Sequence, residues 1–361
     1  MDEYDVAIIG AGPAGSSTAF YAARNGLRVL IVDQRKTIGE PVQCGEFIPT
    51  TKEMKSMFPR VKNQSELFNI DDSLIQMRTN KIKIISPKMR EYEIAFEGFT
   101  VDRRFFDKYL VKKATELGAE LRTNTKFISL NGNRVELDKG EIETKVIVGA
   151  DGYTSNVAKS AGMKVIDLLC PCILGQVDGE FEPTIEMFFG SIAPGGYAWV
   201  IPKKDSANVG LGIQKTSNIS LRNMLNKFLK LRILKDIHTL RMGFVPISGP
   251  IPQTVKKNVI IVGDSAGQVM ATNGGGIPIA MICGRLAGNV ISEHIRNKVP
   301  LEQYEKHWKN AIGPELNNAL EIKKMFDKVV KRNFTLEFAM KIMGSKRIER
   351  AIKCKSIFKK V

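Results

Sequence analysis

The stretch "VAIIGAGPAGSSTAFYAARNGLRVLIVD", residues 6–33, decides the fold of this chain. Residues 4–10 contain a continuous apolar run that ends in glycine, which is typical of a buried strand. Residues 14–25 are predicted to form a helix, because Asn25-Gly26 supplies a C-terminal stop, and residues 28–33 repeat the buried-strand pattern. Strand, helix and strand within about 30 residues predict a βαβ unit with parallel strands and a right-handed crossover.

The turn between the first strand and the helix reads Gly10-Ala11-Gly12-Pro13-Ala14-Gly15 and fits the GxGxxG pattern. Gly10 allows the tight turn, Gly12 lets the backbone approach a pyrophosphate, and Gly15 lets the helix pack closely on the strand. The free N–H groups at the helix start favour phosphate oxygens. Asp33 ends the second strand, where it can bond ribose hydroxyls. A chance glycine-rich turn would lack this register, so we predict a dinucleotide-binding site.

Composition sets broad limits on the class of protein. The chain has 361 residues, of which 43% are hydrophobic and 25% charged, as in globular proteins with two or three packed units. The N-terminus shows no signal-peptide pattern, so we expect a cytoplasmic protein. Five scattered cysteines and three isolated histidines favour neither a disulfide framework nor a metal site, and Cys170-Pro171-Cys172 is too tight for the usual zinc spacing.

The positive charge is concentrated at the C-terminus. The net charge is +16, and residues 322–361 hold 13 Lys or Arg against 3 Asp or Glu. Such a region favours an anionic membrane surface, an acidic protein or nucleic acid. A solvated helical face explains the charges equally well. No nucleic-acid-binding motif accompanies them, so we expect no specific nucleic-acid partner.

The pattern changes along the chain in a way that predicts a discontinuous α/β domain. "KVIVGAD" (145–151) and "NVIIVG" (258–263) repeat the buried parallel-strand pattern, whereas residues 165–250 show short alternating segments typical of an antiparallel sheet. The predicted units are a nucleotide-binding domain at 1–75, 100–164 and 251–300, an antiparallel domain at 76–99 and 165–250, and a basic helical region at 301–361.

One segment of the antiparallel region, "APGGYAWVIPK" (193–203), holds one of the chain's two tryptophans. Tyr197, Trp199 and Ile201 alternate with Ala198 and Val200, which predicts a strand with the three large residues on one face. The pattern alone leaves open whether the rings pack in the core or face a ligand.

Three further segments resemble glutathione-reductase-type flavoproteins of the aromatic-hydroxylase branch: "VDRRFFDKYL" (101–110), "VIVGADGYTSNVAK" (146–159) and "NVIIVGDSAG" (258–267). The resemblance implies a Rossmann-like FAD-binding domain with an inserted antiparallel-sheet substrate domain and a helical C-terminus. It implies that Arg103 contacts the flavin nucleotide and that Ala150-Asp151-Gly152 lies close to the cofactor. It also implies that Asp264 binds the ribityl chain and that the helix start Gly274-Gly275-Gly276-Ile277 reaches the flavin ring. From the residues alone, Asp264 serves equally well as a cap on residues 265–280, and Arg103 as half of a surface salt bridge.

Two more segments, "EPVQCGEF" (40–47) and "SIAPGGYAWVIPK" (191–203), resemble the geranylgeranyl reductase family, which saturates prenyl double bonds of lipid precursors. The resemblance implies a Pro-x-x-Cys-Gly loop near the flavin, matched by Pro41, Cys44 and Gly45. It also implies that the segment at the substrate cavity is matched by Tyr197, Trp199 and Pro202. The chain departs from the family at 270–273, where many relatives have Pro near 271, and the C-terminal part looks shorter, which leaves the rear wall of the cavity undefined.

These observations predict a set of functional residues. Cys44 is the candidate catalytic residue, as a thiol that tunes the flavin or relays a proton; a small buried residue contributing only backbone contacts is the alternative. Tyr197, Trp199 and Pro202 are the predicted substrate-binding residues. The predicted cofactor-binding residues are Gly10, Gly12, Ala14, Gly15, Asp33, Cys44, Gly45, Arg103, Phe127, Asp264, Gly275, Gly276 and Ile277.

The predicted reaction is hydride transfer from reduced FAD to an isolated alkene in a dry, apolar channel. No second GxGxxG lies in a βαβ context, so we expect a transient electron donor, reduced ferredoxin or NAD(P)H, and the basic tail favours peripheral membrane contact. A monooxygenase or halogenase of the same fold is the first alternative, although the Trp-x-Trp-x-x-Ile-Pro stretch usual in halogenases is not found. An electron-transfer flavoprotein that reduces a quinone is the second, although the cysteine spacing does not suit an iron–sulfur cluster.

Overall fold

The computed structural model describes residues 2–214, 219–234, 237–330 and 332–357. Its strands are β1 Asp2–Ile9, β2 Val29–Val32, β3 Phe47–Pro49, β4 Ile75–Ile85, β5 Glu91–Val101, β6 Glu120–Arg122, β7 Phe127–Asn131, β8 Arg134–Leu137, β9 Gly140–Gly149, β10 Leu169–Asp178, β11 Thr184–Phe188, β12 Tyr197–Pro202, β13 Ser206–Gly212, β14 His238–Pro246, β15 Val255–Lys256 and β16 Val259–Ile261. Its helices are α1 Pro13–Arg24, α2 Thr51–Met57, α3 Gln64–Phe68, α4 Arg103–Thr115, α5 Asn156–Ser160, α6 Leu221–Leu231, α7 Ile277–Asn297, α8 Gln303–Val329 and α9 Asn333–Ile352.

The first sheet is built around parallel strands in the order β16-β9-β1-β2-β6. Val6 pairs with Val29 and also with Val146, so the opening βαβ unit is confirmed and sits at the centre of the sheet. The four residues of β2 are all buried, which explains their continuous apolar pattern. Helices α1 and α7 pack against one another through glycines: a Cβ on Gly284 would lie 2.5 Å from the Ala14 carbonyl oxygen.

The second sheet has the order β14-β10-β13-β12-β11-β4-β5-β3. Its pairs are antiparallel as predicted, except that β4 and β11 run parallel. The exception arises because the sheet is built from two separate segments of the sequence, and β4 and β11 pair where these two segments meet. Strand β3 lies within the segment predicted for the nucleotide-binding domain, yet it pairs with β5 in this second sheet.

The C-terminal region is helical, as the sequence predicts. Helix α8 contains Pro314, and α9 is interrupted at Gly344, whose φ of 61° and ψ of 174° are not helical. Throughout the described ranges, every helix is too short or too polar to cross a bilayer. Rather than forming a detached tail, both helices pack on the rest of the protein and contribute to the same core as the first sheet, through Ile312, Leu316, Leu336 and Met340.

Candidate active site

A cavity of about 690 Å³ is lined by residues from both sheets and from α8 and α9. One end is polar and contains the glycine-rich turn after β1, together with Asp33, Arg103 and Asp264. The other end contains the large residues of β12 and the inward sides of α8 and α9, and it is apolar except for the ion pair between Lys323 and Asp327 (2.5 Å). This arrangement suits a dinucleotide at one end and an apolar ligand at the other.

The three glycines of the first turn have different physical roles. A Cβ on Gly10, whose φ is +107°, would lie 2.2 Å from the Ala150 carbonyl oxygen, and a Cβ on Gly15 would lie 1.8 Å from the Gly10 carbonyl oxygen. These two glycines therefore permit close packing of the backbone. A Cβ on Gly12 would meet no protein atom within 4 Å, and Gly12 lines the cavity at the uncapped start of α1. The open space and the free N–H groups fit a pyrophosphate.

Asp33 is buried at the edge of the polar end and is held by the protein itself. One carboxylate oxygen accepts a hydrogen bond from the Ala11 backbone N–H (2.8 Å), and the side chain forms an ion pair with Arg35 (2.6 Å). Burial alone would raise the pKa of Asp33, but its hydrogen bonds and the charge of Arg35 outweigh burial and lower that pKa. The carboxylate thus stays ionised, and its position at the cavity fits an acceptor for ribose hydroxyls.

Arg103 also lines the polar end, and its guanidinium is paired with the carboxylate of Asp107 (2.5 and 2.7 Å). The side chains of both residues are largely buried, so this is not the surface salt bridge weighed above as the alternative for Arg103. Burial opposes the charge, but the neighbouring Asp107 carboxylate outweighs it and raises the Arg103 pKa. A fixed positive charge therefore stands at the cavity.

Asp264 lies in a 3-10 turn, Gly263–Ala266, immediately before the glycine-rich loop that leads into α7. Its carboxylate accepts no hydrogen bond from any described residue, so the capping alternative is not realised. Burial raises its pKa, and Arg103 opposes the effect. A Cβ on Gly276, the N-cap of α7, would lie 3.2 Å from Asp264 Oδ1. An unpartnered carboxylate beside an uncapped helix start fits a ligand that has both hydroxyl donors and an acceptor oxygen, as a flavin with its ribityl chain does.

The remaining predicted cofactor residues lie at or beside the same end of the cavity. Ala14, Cys44, Gly45, Phe127, Gly275 and Ile277 all line it, whereas Gly15 lies behind the turn. The Ala150-Asp151-Gly152 turn also lines it and is fixed by hydrogen bonds: Asp151 accepts from Ser155 Oγ (2.6 Å), and the Gly152 N–H donates to Ser265 Oγ (2.9 Å).

The residues of strand β12 alternate between the cavity and a core, which settles whether the large side chains of this strand face a cavity or pack in the core. Tyr197, Trp199 and Ile201 line the cavity, while Ala198 and Val200 pack in a separate core on the other face. The Tyr197 hydroxyl donates to the Asn273 carbonyl oxygen (2.5 Å) in the loop before α7. The rings of Tyr197 and Trp199 are 5.8 Å apart. The two aromatic residues therefore form a wall that joins the glycine-rich loop to the apolar end.

Pro202 is not part of this wall. By the same alternation it belongs with Ala198 and Val200, and its carbonyl oxygen accepts a hydrogen bond from Thr100 Oγ1 (2.9 Å). Its predicted contact with substrate therefore has no geometric support. Proline at this position is compatible with the strand because it pairs there with Ala207 near the strand end.

A buried polar network behind the wall was not predicted from the sequence. Asn208 on β13 accepts from Trp199 Nε1 (2.9 Å) and donates to the carbonyl oxygen of Cys44 (2.8 Å) and to Glu46 (3.2 Å). Glu46 forms a buried ion pair with Lys203 (2.5 Å) and accepts from the Arg103 backbone N–H (2.9 Å). The network connects the wall, the cysteine loop and the arginine. The network joins residues that are far apart in the sequence, so the spacing of residue types could not predict it.

The thiol of Cys44 faces the cavity and accepts a hydrogen bond from the Glu46 backbone N–H (3.2 Å). Burial raises the pKa of this thiol, and the nearby Arg103 charge offsets the increase only in part. Cys44 therefore carries its proton at neutral pH.

Helices α8 and α9 form the rear wall that the sequence left undefined. Their contribution to the apolar lining is Ile322, Phe326, Val330, Met340, Met343, Ile348, Ala351 and Ile352. The apolar spacing in these helices could have indicated a buried face, but it does not distinguish a cavity wall from an ordinary core.

Comparisons with known proteins give family matches in two parts of the chain and relatives that cover most of it. The family model "FAD dependent oxidoreductase" matches residues 5–42, and the model "Geranylgeranyl reductase catalytic domain" matches residues 173–244. The digeranylgeranylglycerophospholipid reductase of Methanocaldococcus jannaschii is 34% identical over 352 residues, which cover 91% of this chain and 88% of that protein.

Two solved structures extend the comparison. A geranylgeranyl bacteriochlorophyll reductase-like protein from Thermoplasma acidophilum is 26% identical, with a TM-score of 0.83 over 100% of this chain and 94% of the other. The myxobacterial chondrochloren halogenase is 16% identical, with a TM-score of 0.74 over 100% of this chain and 92% of the other, and it shares the fold alone.

Proposed function

The chain belongs to the digeranylgeranylglycerophospholipid reductase family, and we propose that it uses FAD to saturate C=C bonds in geranylgeranyl chains of an isoprenoid lipid precursor. It is thus an oxidoreductase that acts on CH–CH groups. The observation that carries the proposal is one cavity, in which a polar end with the glycine-rich turn meets an aromatic wall and a largely apolar end.

When reduced FAD is bound, it supplies the hydride. The backbone around Gly12 and the start of α1 would hold the two phosphates, and Asp33 would hold ribose hydroxyls. Asp264 would accept from the ribityl hydroxyls, and the uncapped start of α7 would face the flavin ring. The positive charge of Arg103, fixed by Asp107, would favour an electron-rich nucleotide at this end.

The apolar end binds and orients the prenyl chain. An isolated alkene offers no oxygen for a hydrogen bond, so shape and exclusion of water must position the double bond. Tyr197 and Trp199 supply one wall, and the inward sides of α8 and α9 supply the other. A ring face also tolerates positive charge that develops on an alkene carbon.

Saturation of an alkene needs a proton as well as a hydride. Cys44 lies at the cavity with a protonated thiol, and Asn208 and Glu46 fix its loop. Cys44 is therefore the residue that holds the proton in this proposal. The electron donor is a separate proposal: a transient partner, reduced ferredoxin or NAD(P)H, reduces the flavin, and the basic C-terminal region makes peripheral contact with a membrane.

The test is product analysis with the purified FAD-loaded protein. The protein is reduced with dithionite under anaerobic conditions, mixed with a digeranylgeranyl phospholipid, and the lipid is measured by mass spectrometry. We expect a gain of two hydrogens for each double bond reduced. An unchanged lipid mass with a fully reduced flavin, for several prenyl lipids, would rule the proposal out. Oxygen-dependent addition of oxygen or halide to a substrate would favour the monooxygenase or halogenase alternative.

A further inference from the structure

The outward side of α9 exposes a line of large apolar side chains. Phe334 is 74% exposed, and Phe338 and Ile342 are each 58% exposed. The three residues are spaced four apart, which places them on one face of the helix over two turns. Isolated exposed apolar residues are common on protein surfaces, but a row of large apolar side chains on one helix face is typical of a surface that binds a protein or a membrane.

Positive charges flank this stripe. Arg332 precedes the stripe and Lys341 lies within its span, while Lys346 and Arg347 follow the break in the helix at Gly344; all four are exposed, and none forms an ion pair with another residue of the described chain. The two carboxylates of α9 are both engaged: Glu337 accepts from the Lys88 backbone N–H (3.1 Å), and Glu349 pairs with Lys353 (3.0 Å). The stripe is therefore accompanied by positive charges that no carboxylate of the described residues neutralises.

The tip of the β4–β5 hairpin lies beside the same helix. Glu337 lies 3.8 Å from Arg90 Nε and also holds the Lys88 backbone, so it fixes the tip against α9. Met89, at the tip, is 50% exposed and lies between Lys88 and Arg90, which are also exposed. A second chain segment thus repeats the combination of apolar and cationic side chains.

The inward side of α9 lines the cavity. Met340, Met343, Ile348 and Ile352 face the apolar end, and Asn333 Oδ1 accepts from the Ser191 backbone N–H (2.8 Å) in the segment that leads into β12. Only the thickness of one helix, about 10 Å, separates the outer stripe from the cavity end that α9 lines.

We propose that this surface, which we call the α9 face (Met89, Phe334, Phe338, Ile342 and the flanking cations), docks on an anionic lipid bilayer. The apolar side chains enter the headgroup–acyl boundary, and the cations bind lipid phosphates. A second copy of the chain is a poorer occupant, because a symmetric contact would bring unpaired cations together. The inference rests on the proposed function only for its biological purpose, which is to deliver a membrane lipid to the cavity.

The test is sedimentation of the FAD-loaded protein with vesicles. We expect binding to vesicles of equal parts phosphatidylglycerol and phosphatidylcholine, and binding at least tenfold weaker to pure phosphatidylcholine. The variant Phe334→Ser/Phe338→Ser/Ile342→Ser should bind the anionic vesicles at least tenfold less. A matched variant of exposed apolar residues elsewhere, Leu117→Ser/Ile128→Ser, should bind like the unmodified protein.

A charge pair tests the same surface without changing its apolar residues. Lys341→Glu/Lys346→Glu should weaken binding at least tenfold, whereas Lys108→Glu/Lys230→Glu, which makes the same change in net charge, should weaken it much less. This pair also keeps the test valid if the serine variant fails to retain FAD.

Two outcomes would overturn the inference. One is equal binding by the α9-face variants and their controls. The other is absence of binding to the anionic vesicles by the unmodified protein; a dimer, seen by light scattering, that the serine variant converts to a monomer would then assign the face to a second copy of the chain. Turnover of detergent-dispersed lipid should be unchanged in the α9-face variants. Failure of turnover in the unmodified protein would count against the proposed reaction and would leave the vesicle result intact.

Discussion

Replacement of Trp199 with Ala is the most informative single perturbation, because the chain holds a matched control. Trp199 and Trp308 are the chain's two tryptophans, and they are only 7% and 3% exposed. Each makes one hydrogen bond through Nε1 at 2.9 Å, Trp199 to Asn208 and Trp308 to Thr254. Trp199 lines the cavity, whereas Trp308 packs in α8 away from it.

The two substitutions should cost similar amounts of stability. Removing a buried indole costs about 3–5 kcal/mol, and this range includes the cavity that remains. The loss of the Nε1 donor leaves a buried polar partner unsatisfied in both variants, at about 1–3 kcal/mol. Urea unfolding should therefore show both variants destabilised to a similar degree, with FAD retained below the transition.

Only the Trp199 variant should lose prenyl reduction. Misplacing a substrate by about 1 Å can cost roughly 100-fold in rate, so we expect a loss of 10- to 100-fold for Trp199→Ala and less than 3-fold for Trp308→Ala. Reoxidation of reduced flavin by a geranylgeranyl lipid, followed by absorbance in a stopped-flow instrument, measures the step. Equal losses in the two variants would refute the assignment of Trp199 to the substrate wall, as would loss of FAD from folded Trp199→Ala.

Three further predictions follow from the site. Gly12→Ala should fold and lose FAD affinity, because its Cβ meets no protein atom, whereas Gly10→Ala should destabilise the fold itself; FAD content and thermal unfolding separate the two. Burial raises the pKa of the Cys44 thiol above its ordinary value of about 8.5, so prenyl reduction should stay level through that pH and fall only at higher pH, and Cys44→Ala should be slow with no alkaline limb. Lys203→Met should destabilise the protein by about 3–5 kcal/mol, since it leaves the Glu46 carboxylate buried and unpaired, and a double change with Glu46→Gln should recover part of the loss in urea unfolding.

The nucleotide-binding half of the fold was predictable because its signals are local. Gly10, Gly12 and Gly15 lie within six residues, and the strands around them are buried on both faces, so pattern and spacing determine the arrangement. The parallel pairing of β4 with β11 was not predictable, because it joins segments about a hundred residues apart. Neither strand has a sequence pattern that indicates which strand it pairs with.

The substrate end shows a similar division. The alternation around Trp199 predicted the shared face of Tyr197 and Trp199. The prediction for Pro202 came from the family resemblance instead, and the structure places Pro202 outside the cavity lining. The sequence did not indicate a role for Asn208, because that role depends on hydrogen bonds to a loop that lies 162–164 residues earlier in the chain. The basic residues of the C-terminal region indicated a charged surface. The role of its inward methionines as a cavity wall could not be predicted, because it depends on how the helices pack against the rest of the protein.

The central claim is that the alkene takes hydride from the reduced flavin inside this cavity. The direct measurement is an anaerobic titration of the dithionite-reduced protein, freed of excess reductant, with a digeranylgeranyl phospholipid, while flavin absorbance and lipid mass are recorded together. The account predicts that the oxidised flavin spectrum returns without oxygen, with two hydrogens gained by the lipid for each flavin reoxidised. A flavin that stays reduced until oxygen is admitted, with the lipid mass unchanged, would contradict it.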